Sequence, residues 1–301
     1  MGLSIGTLFP LRFRLWLGKL LFRSPGPSTV RVSWHRLIKG PCDPPEIEAM
    51  QYVASHTTIP VPRIYAVHTE GNGLIYIEMA YVPGDTLDSA WRRGLSTDEK
   101  DTICADIKQH ISSLRELQPP AQDIVSSALQ NPAFDCRIGA QFYGPMNHDE
   151  FQSLVRGHLC MEDVPLLGEE VAKVHTSHYQ IRFAHADLAP RNIIVRGGRV
   201  AAIIDWAFAG WYPEYWEFTK AHYCHIMDDD WEEFLRLALP CYETELTAEQ
   251  TLSRRLPQPG ARSVSFRNGV RHQRPGSKPS AAWLDARAGR QLTDLWSLVR
   301  F

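Results

Sequence analysis

The six cysteines of this 301-residue sequence (42, 104, 136, 160, 224 and 241) form no C-x-x-C pair. Scattered cysteines argue against a disulfide scaffold and a zinc ribbon, and they suit a reducing compartment. No H-E-x-x-H occurs, so a zinc-protease reading lacks its helical His pair. No stretch of about 18 uncharged apolar residues occurs, so a transmembrane segment is not expected. Charge of one sign is also lacking: the net is −2 and the pI near 6.6. That excludes a generally basic nucleic-acid binder, and no specific nucleic-acid partner is expected. What is present is ample core material, 44% hydrophobic residues, so global disorder is excluded.

The low total hides a strong pattern. Residues 1–42 carry seven Lys/Arg and no acid, whereas residues 81–250 carry 27 acids and 14 bases. Residues 251–301 are basic again, with ten bases and two acids. A basic amphipathic segment is expected over 1–29, a small strand-rich lobe over 30–82, a larger helical lobe over 83–250 and a basic, disordered tail over 251–301. The head, Leu8–Phe22, is apolar but interrupted by Arg12, Arg14 and Lys19. It reads as a helix packing its Leu/Phe/Trp face on the body, with weak membrane-surface contact or a mitochondrial leader as the alternatives. Residues 253–280 are rich in Pro, Gly, Ser and Arg and have no apolar period; 281–301 reads as one weak helix.

Within the small lobe, 30–34 and 36–39 alternate as strands, with Lys39 at a strand end. Pro44-Pro45 opens a helix over 46–54. Strands over 63–67 and 74–79 flank a Gly-Asn-Gly turn. From Thr97 to Leu117 apolar residues recur at helical spacing, with Ser96 or Thr97 as N-cap. One β-hairpin stands out in the helical part: 193–195 and 200–204 around Gly197-Gly198. With those glycines as the loop, residue 192 lies opposite 203. Asn192 and Asp205 then emerge at one open end, and His185-Ala186-Asp187 lies just upstream. Oxygen ligands of this kind suit Mg²⁺, which takes carboxylates, phosphate oxygens and water.

The run His185-Ala186-Asp187-Leu188-Ala189-Pro190-Arg191-Asn192, followed by the hairpin and Ile203-Ile204-Asp205-Trp206, resembles the aminoglycoside phosphotransferase and choline kinase family. Ala209–Glu217 resembles its fungal branch. The likeness spans about residues 30–250. Ala186 stands where the family usually has Gly.

The resemblance implies an α+β, two-lobed, protein-kinase-like fold: a small antiparallel-sheet N-lobe and a larger helical C-lobe with the catalytic hairpin. It implies a small-molecule kinase that uses ATP and Mg²⁺ and phosphorylates a hydroxyl of a small-molecule acceptor. Asp187 would orient or deprotonate the acceptor hydroxyl, and His185 would support its loop. Asn192 and Asp205 would hold Mg²⁺. Lys39, alone among Lys between residues 20 and 99, would reach the phosphates. Glu46 would hold Lys39, because it shares a helix face with Ala49, Met50 and Val53, which Glu48 does not. Adenine would meet backbone groups near Met79, Ala80 and Tyr81.

A Gly-rich loop is missing before Lys39; only Ser24-Pro25-Gly26-Pro27-Ser28 is there, and its prolines lack N–H donors. A non-catalytic kinase-like binding protein is the alternative this raises. His222-Tyr223-Cys224-His225 reads as part of a packed helix rather than a zinc site, since further ligands are lacking. The acidic run 228–233 with Trp231 suggests a cleft for a cationic acceptor, with Trp231 as a cation–π face. A cytoplasmic location is expected.

Overall fold

The computed structural model describes residues 9–256 except 23, 72, 140–141 and 224–228, together with 259. A helix over Glu243–Arg255 carries regular structure into the expected disordered tail, so that expectation does not hold from 251 to 255; its acidic and apolar residues Glu249 and Leu252 are buried. The remaining tail expectations and those for Asp228, Cys224 and His225 lie outside the described residues. The chain forms two compact units, Met1–Ser113 with Ala189–Ala207, and Leu114–Leu188 with Phe208–Phe301. The division at 113/114 differs from the expected lobe boundary at 82/83.

The first unit begins with α1 (Leu11–Leu21), β1 (Thr29–Arg31), β2 (Arg36–Cys42), α2 (Pro44–His56), β3 (Ile64–Thr69) and β4 (Ile75–Ala80). Its antiparallel sheet has the order β1-β2-β4-β3. β1 stops at Arg31, short of the expected Trp34. The Arg31 side chain donates to the carbonyls of Ser33 and Trp34 at 3.1 and 3.0 Å and closes a turn there. β2 continues past Lys39 with an irregularity before Cys42, so Lys39 lies within a strand rather than at its end. Two prolines open α2, where missing N–H groups fall among donors a first turn leaves unpaired.

Helix α1 is turned opposite to expectation. Its buried residues are Arg14 and Gly18, one helical turn apart. Arg14 forks onto Glu78 at 2.7 and 2.9 Å. A Cβ on Gly18 would stand 2.5 Å from the Arg31 carbonyl, so only glycine allows this approach. These two contacts set the rotation and leave Phe9, Phe13, Trp16 and Leu20 facing solvent, Trp16 60% exposed. Glu78 also meets Arg36 Nη1 and His68 Nε2, each at 3.0 Å. Burial pushes its carboxyl up, but the hydrogen bonds from Arg14, Arg36 and His68 outweigh this and bring it to about 2.

The unit continues with β5 (Asp85–Thr86), α3 (Leu87–Arg93) and α4 (Thr97–Glu116), and it takes in β9 (Ile193–Arg196) and β10 (Arg199–Ile203). Ser96 caps α4: its hydroxyl accepts from Glu99 N–H at 3.3 Å and Glu99 accepts from Ser96 N–H at 3.0 Å. Gly197 and Gly198 take φ of 60° and 70°, the tight hairpin turn that glycine favours. A bulge between Val200 and Ala202 puts Ile203 opposite Ile193, so the expected pairing of 192 with 203 is off by one. Instead Ile204 N–H donates to the Asn192 carbonyl at 2.9 Å. The hairpin belongs to this unit because β9 pairs with β5 and Arg199 forks onto Asp106 of α4 at 2.8 and 2.6 Å.

The second unit holds β6 (Ile124–Ser127), β7 (Met146–Asn147), α5 (His148–Val155), α6 (Glu169–Thr176), β8 (Ile181–Ala184), β11 (Gly210–Pro213), α7 (Trp216–Ala221), α8 (Asp229–Ala238) and α9 (Glu243–Arg255). Its four-stranded sheet, β7-β6-β11-β8, was not expected beside the helices. Strands this short carry no readable alternation. β11 approaches β6 so closely that a Cβ on Gly210 would lie 2.3 Å from the Ser126 carbonyl. Aromatic rings fill the core: Phe151 meets Trp216 edge-on and Phe183 meets Trp211 edge-on, each with centroids 5.0 Å apart.

Candidate active site

The first unit gathers four of the expected residues. Lys39 Nζ lies 2.5 Å from Glu46 Oε1 and 2.7 Å from Asp205 Oδ1. Burial opposes the lysine charge, but the Glu46 and Asp205 carboxylates outweigh it and raise its pKa. Glu46 is almost fully buried, and that burial raises its carboxyl pKa although Lys39 counteracts it. Asp205 differs: 41% of its side chain is exposed. It therefore keeps an oxygen open to solvent while holding the lysine.

Asp205 follows β10 with φ of 65°, an uncommon backbone for a non-glycine residue. Its neighbours fix that conformation. Ile203 N–H donates to the Pro60 carbonyl, and the buried Trp206 indole donates back to the Ile203 carbonyl, both at 2.9 Å. Asn192 is buried at the end of a 3₁₀ turn, its N–H donating to the Ala189 carbonyl at 2.8 Å. Its backbone bond to Ile204 ties it beside Asp205. One carboxylate and one carboxamide at this place are hard oxygen donors, which fit Mg²⁺ and not a soft metal.

Around the expected nucleotide several backbone groups already have partners. Ala80 N–H donates to the Arg63 carbonyl and Tyr81 N–H to the His35 carbonyl, both at 2.9 Å. These two donors are engaged within the first unit, and Met79 is buried. The Tyr81 ring carries the Arg31 guanidinium 3.9 Å above its centroid. The Ser24–Ser28 segment is a tight turn: Thr29 N–H donates to the Gly26 carbonyl at 3.3 Å, and the Ser24 hydroxyl donates to the Gly26 and Thr29 carbonyls.

The second unit carries His185 and Asp187, both buried, directly after β8. Asp187 N–H donates to His185 Nδ1 at 3.2 Å, so this imidazole nitrogen is an acceptor and braces the loop. Ala186 sits between them with φ of 59°. That conformation is why glycine suits the position, and alanine holds it at some cost.

Glu217 compensates, and sequence reasoning missed it. Its Oε2 accepts the His185 N–H at 2.5 Å and the Ala186 N–H at 3.4 Å. Burial raises its carboxyl to about 7; the two backbone hydrogen bonds lower it, and the charge of Asp187 adds to the rise. One turn further along α7, Lys220 is fully enclosed, 2.7 Å from Asp135 and 3.1 Å from Cys136 Sγ. Asp135 also accepts from the Trp216 indole at 3.0 Å. The readable signal was Glu217 and Lys220, two of the three charges within the aromatic run 211–221, where burying an unpaired charge is strongly unfavourable.

One further expectation changes. Trp231 is buried, its ring stacked on Phe234 at 5.0 Å, so it does not offer a face to a ligand. Glu232 pairs with Arg236 at 3.5 Å, while Asp230 and Glu233 are exposed. His222 ends α7 with Nδ1 2.8 Å from the Phe218 carbonyl, as a packed helix end would have it.

A buried Lys–Glu pair touching an aspartate after a hairpin, with an H-x-D-x-x-x-x-N run before it, defines the kinase-type fold of phosphoryl transfer. A model of the phosphotransferase enzyme family matches residues 42–245, and the chain belongs to that family of small-molecule phosphotransferases. Lys39 falls just outside the matched span. Among solved structures, aminoglycoside phosphotransferase APH(4)-Ia is similar at 15% identity, with 76% of this chain and 81% of that chain covered and a TM-score of 0.53. A thermostable mutant of the same enzyme in ternary complex with ADP and hygromycin B gives 15%, 76%, 82% and 0.52. ADP-bound APH(2'')-Ib gives 15%, 81%, 86% and 0.50. At these identities the likeness is one of fold. No curated protein matches the chain.

Proposed function

We propose that the protein transfers the γ-phosphoryl group of ATP to a hydroxyl of a cationic small molecule. The observation that carries this reading is Lys39 held between buried Glu46 and half-exposed Asp205. Lys39 would reach the α/β-phosphates with its ammonium fixed and charged. Asp205 and Asn192 would hold Mg²⁺, which neutralises phosphate charge when bound. Asp187 would accept the proton of the acceptor hydroxyl, its backbone fixed through His185, Ala186 and Glu217. The similar structures that hold ADP support a nucleotide in this fold, and the one that holds hygromycin B supports an aminoglycoside-like acceptor.

The charge of the acceptor rests on the acidic stretch 81–250, with Asp230 and Glu233 exposed on α8. The test is ATP consumption in the presence of amino alcohols, aminoglycosides, and neutral and anionic alcohols. Turnover confined to cationic acceptors is expected. Turnover with neutral or anionic acceptors alone would remove the charge argument. If no acceptor gives turnover and millimolar Mg·ATP gives no thermal stabilisation, the protein is a non-catalytic relative.

The five described cysteines are free, which supports the cytoplasm as its location. The outward apolar stripe of α1, in a segment without acids, supports weak contact with an anionic lipid surface. Trp16→Ser lowering cosedimentation with phosphatidylserine vesicles is the expected result, and equal cosedimentation would discard that contact.

A further inference from the structure

The second unit holds a cluster that phosphoryl transfer does not use. Asp123 precedes β6, His148 is the first residue of α5, and His178 lies in the loop before β8. One ligand atom from each lies within 4.8 Å of the other two. Asp123 Oδ1 and His178 Nε2 are 3.5 Å apart, and the two imidazole rings are 4.5 Å apart between centroids. Ligands bonded tetrahedrally to zinc at about 2.0–2.1 Å stand about 3.3 Å from each other. The cluster is thus near the spacing that a metal would draw together.

Three observations point to a ligand rather than to chance proximity. First, Asp123 Oδ1 is buried and accepts no hydrogen bond; the group beside it is His178 Nε2, at 3.5 Å too far for a good one. Second, Asp123 is held at φ of 65°, while its carbonyl accepts the His148 N–H at 3.1 Å. That backbone bond keeps the aspartate beside the first turn of α5. Third, His148 is arranged like a metal-bound imidazole. Its Nδ1 lies 3.2 Å from the Asp149 carboxylate, which accepts the Nδ1–H and so leaves the lone pair on Nε2. Nε2 faces the His178–Tyr179 peptide, where it meets only the Tyr179 N–H at 3.3 Å. A metal would replace that long contact.

We propose that Asp123, His148 and His178 form a site for a zinc ion, with water completing its shell. Two imidazoles and one carboxylate select zinc over magnesium, which prefers oxygen ligands. The site is chemically distinct from the hard-oxygen pair Asn192 and Asp205. It would tie together three segments far apart in sequence, ahead of β6, at the start of α5 and ahead of β8, the strand that leads into His185.

The test uses the full chain freed of metal by a chelator. Titration with ZnCl₂ by calorimetry is expected to show one zinc per chain, with a rise in thermal midpoint. Asp123→Asn and His178→Ala are the informative variants. The side chains of Asp123 and His178 are 45% and 67% exposed, and asparagine tolerates the positive φ at 123. Each is expected to weaken zinc binding by more than about 100-fold, beyond the roughly 10–100-fold typical of an outer-shell change. Substitution of Co²⁺ is expected to give a tetrahedral spectrum without a thiolate charge-transfer band. Absent zinc binding, affinity unchanged in both variants, or a thiolate band would each overturn the proposal.

Discussion

Replacing Lys39 by methionine would test how the nucleotide half of the site is built. Met keeps the length of the side chain and removes its charge. Glu46 then keeps a carboxylate that is 2% exposed with no cation beside it, whereas Asp205 can turn to solvent. At 2.5 Å the gross Lys39–Glu46 attraction is about 7 kcal/mol for an effective dielectric of about 20, most of it offset by desolvation. Breaking such a pair from one side costs about 3–5 kcal/mol, a large share of the roughly 5–15 kcal/mol that holds a domain folded. Protonation of Glu46 limits the loss. Burial already raises this carboxyl above 4.5, and removing Lys39 raises it further. The folded variant therefore binds a proton more tightly than the unfolded chain, and its stability recovers as pH falls toward the unfolded carboxylate value. The recovery is about 1.4 kcal/mol per pH unit across that window.

Urea unfolding of wild type and Lys39→Met at pH 5, 6, 7 and 8 measures this directly. The expected difference is large at pH 8 and shrinks toward pH 5. Lys39→Met with Glu46→Leu is expected to regain most of the stability while phosphoryl transfer stays absent, because a buried pair can be replaced by apolar groups at little cost. A loss below about 1 kcal/mol, or one that does not change with pH, would refute the view of Glu46 as a buried charge held by Lys39.

Asp187→Asn is expected to leave Mg·ATP binding intact and lower turnover by about 10²–10⁴, measured by steady-state kinetics beside a nucleotide titration. Asp205→Ala is expected to remove Mg²⁺-dependent nucleotide binding, since Asn192 alone supplies only a neutral oxygen; a Mg²⁺ titration of the variant checks this. Glu78, with its carboxyl lowered to about 2, stabilises the fold above its ordinary 4.5 and loses that contribution as pH falls toward 2. The difference is about 3 kcal/mol, so Glu78→Gln should flatten the acid limb of a stability–pH curve. Glu217 runs the other way: its carboxyl, raised from 4.5 to about 7, favours the fold below pH 4.5 and loses that favour as pH rises through 7. Glu217→Gln should remove this component and lower turnover by loosening the loop around Ala186, as unfolding and kinetics at pH 5 and 8 would register.

The sequence by itself determined local placement. That Asn192 and Asp205 stand side by side was legible because a glycine turn between two apolar strands leaves little freedom. Glu46 was legible over Glu48 because helical periodicity assigns a face. Tertiary structure decided what depends on partners distant in the chain. The hairpin joined the first unit because Asp106, 93 residues from Arg199, holds it there. The bulge at Val200/Ala202, which moves the pairing of Asn192 by one residue, has no local signature. Helix α1 has an apolar stripe that periodicity would bury. Its rotation is set instead by the ion pair of Arg14 with Glu78, 64 residues away, and by the close approach at Gly18. Ala80 and Tyr81 were legible as a strand end, but which of their N–H groups remain available was decided by Arg63 and His35. Glu217 and Lys220 appear in the sequence only as charges in an aromatic run. Their partners, His185 and Ala186 for one and Asp135 for the other, lie 31 to 85 residues earlier, and a buried charge takes its meaning from the group that meets it.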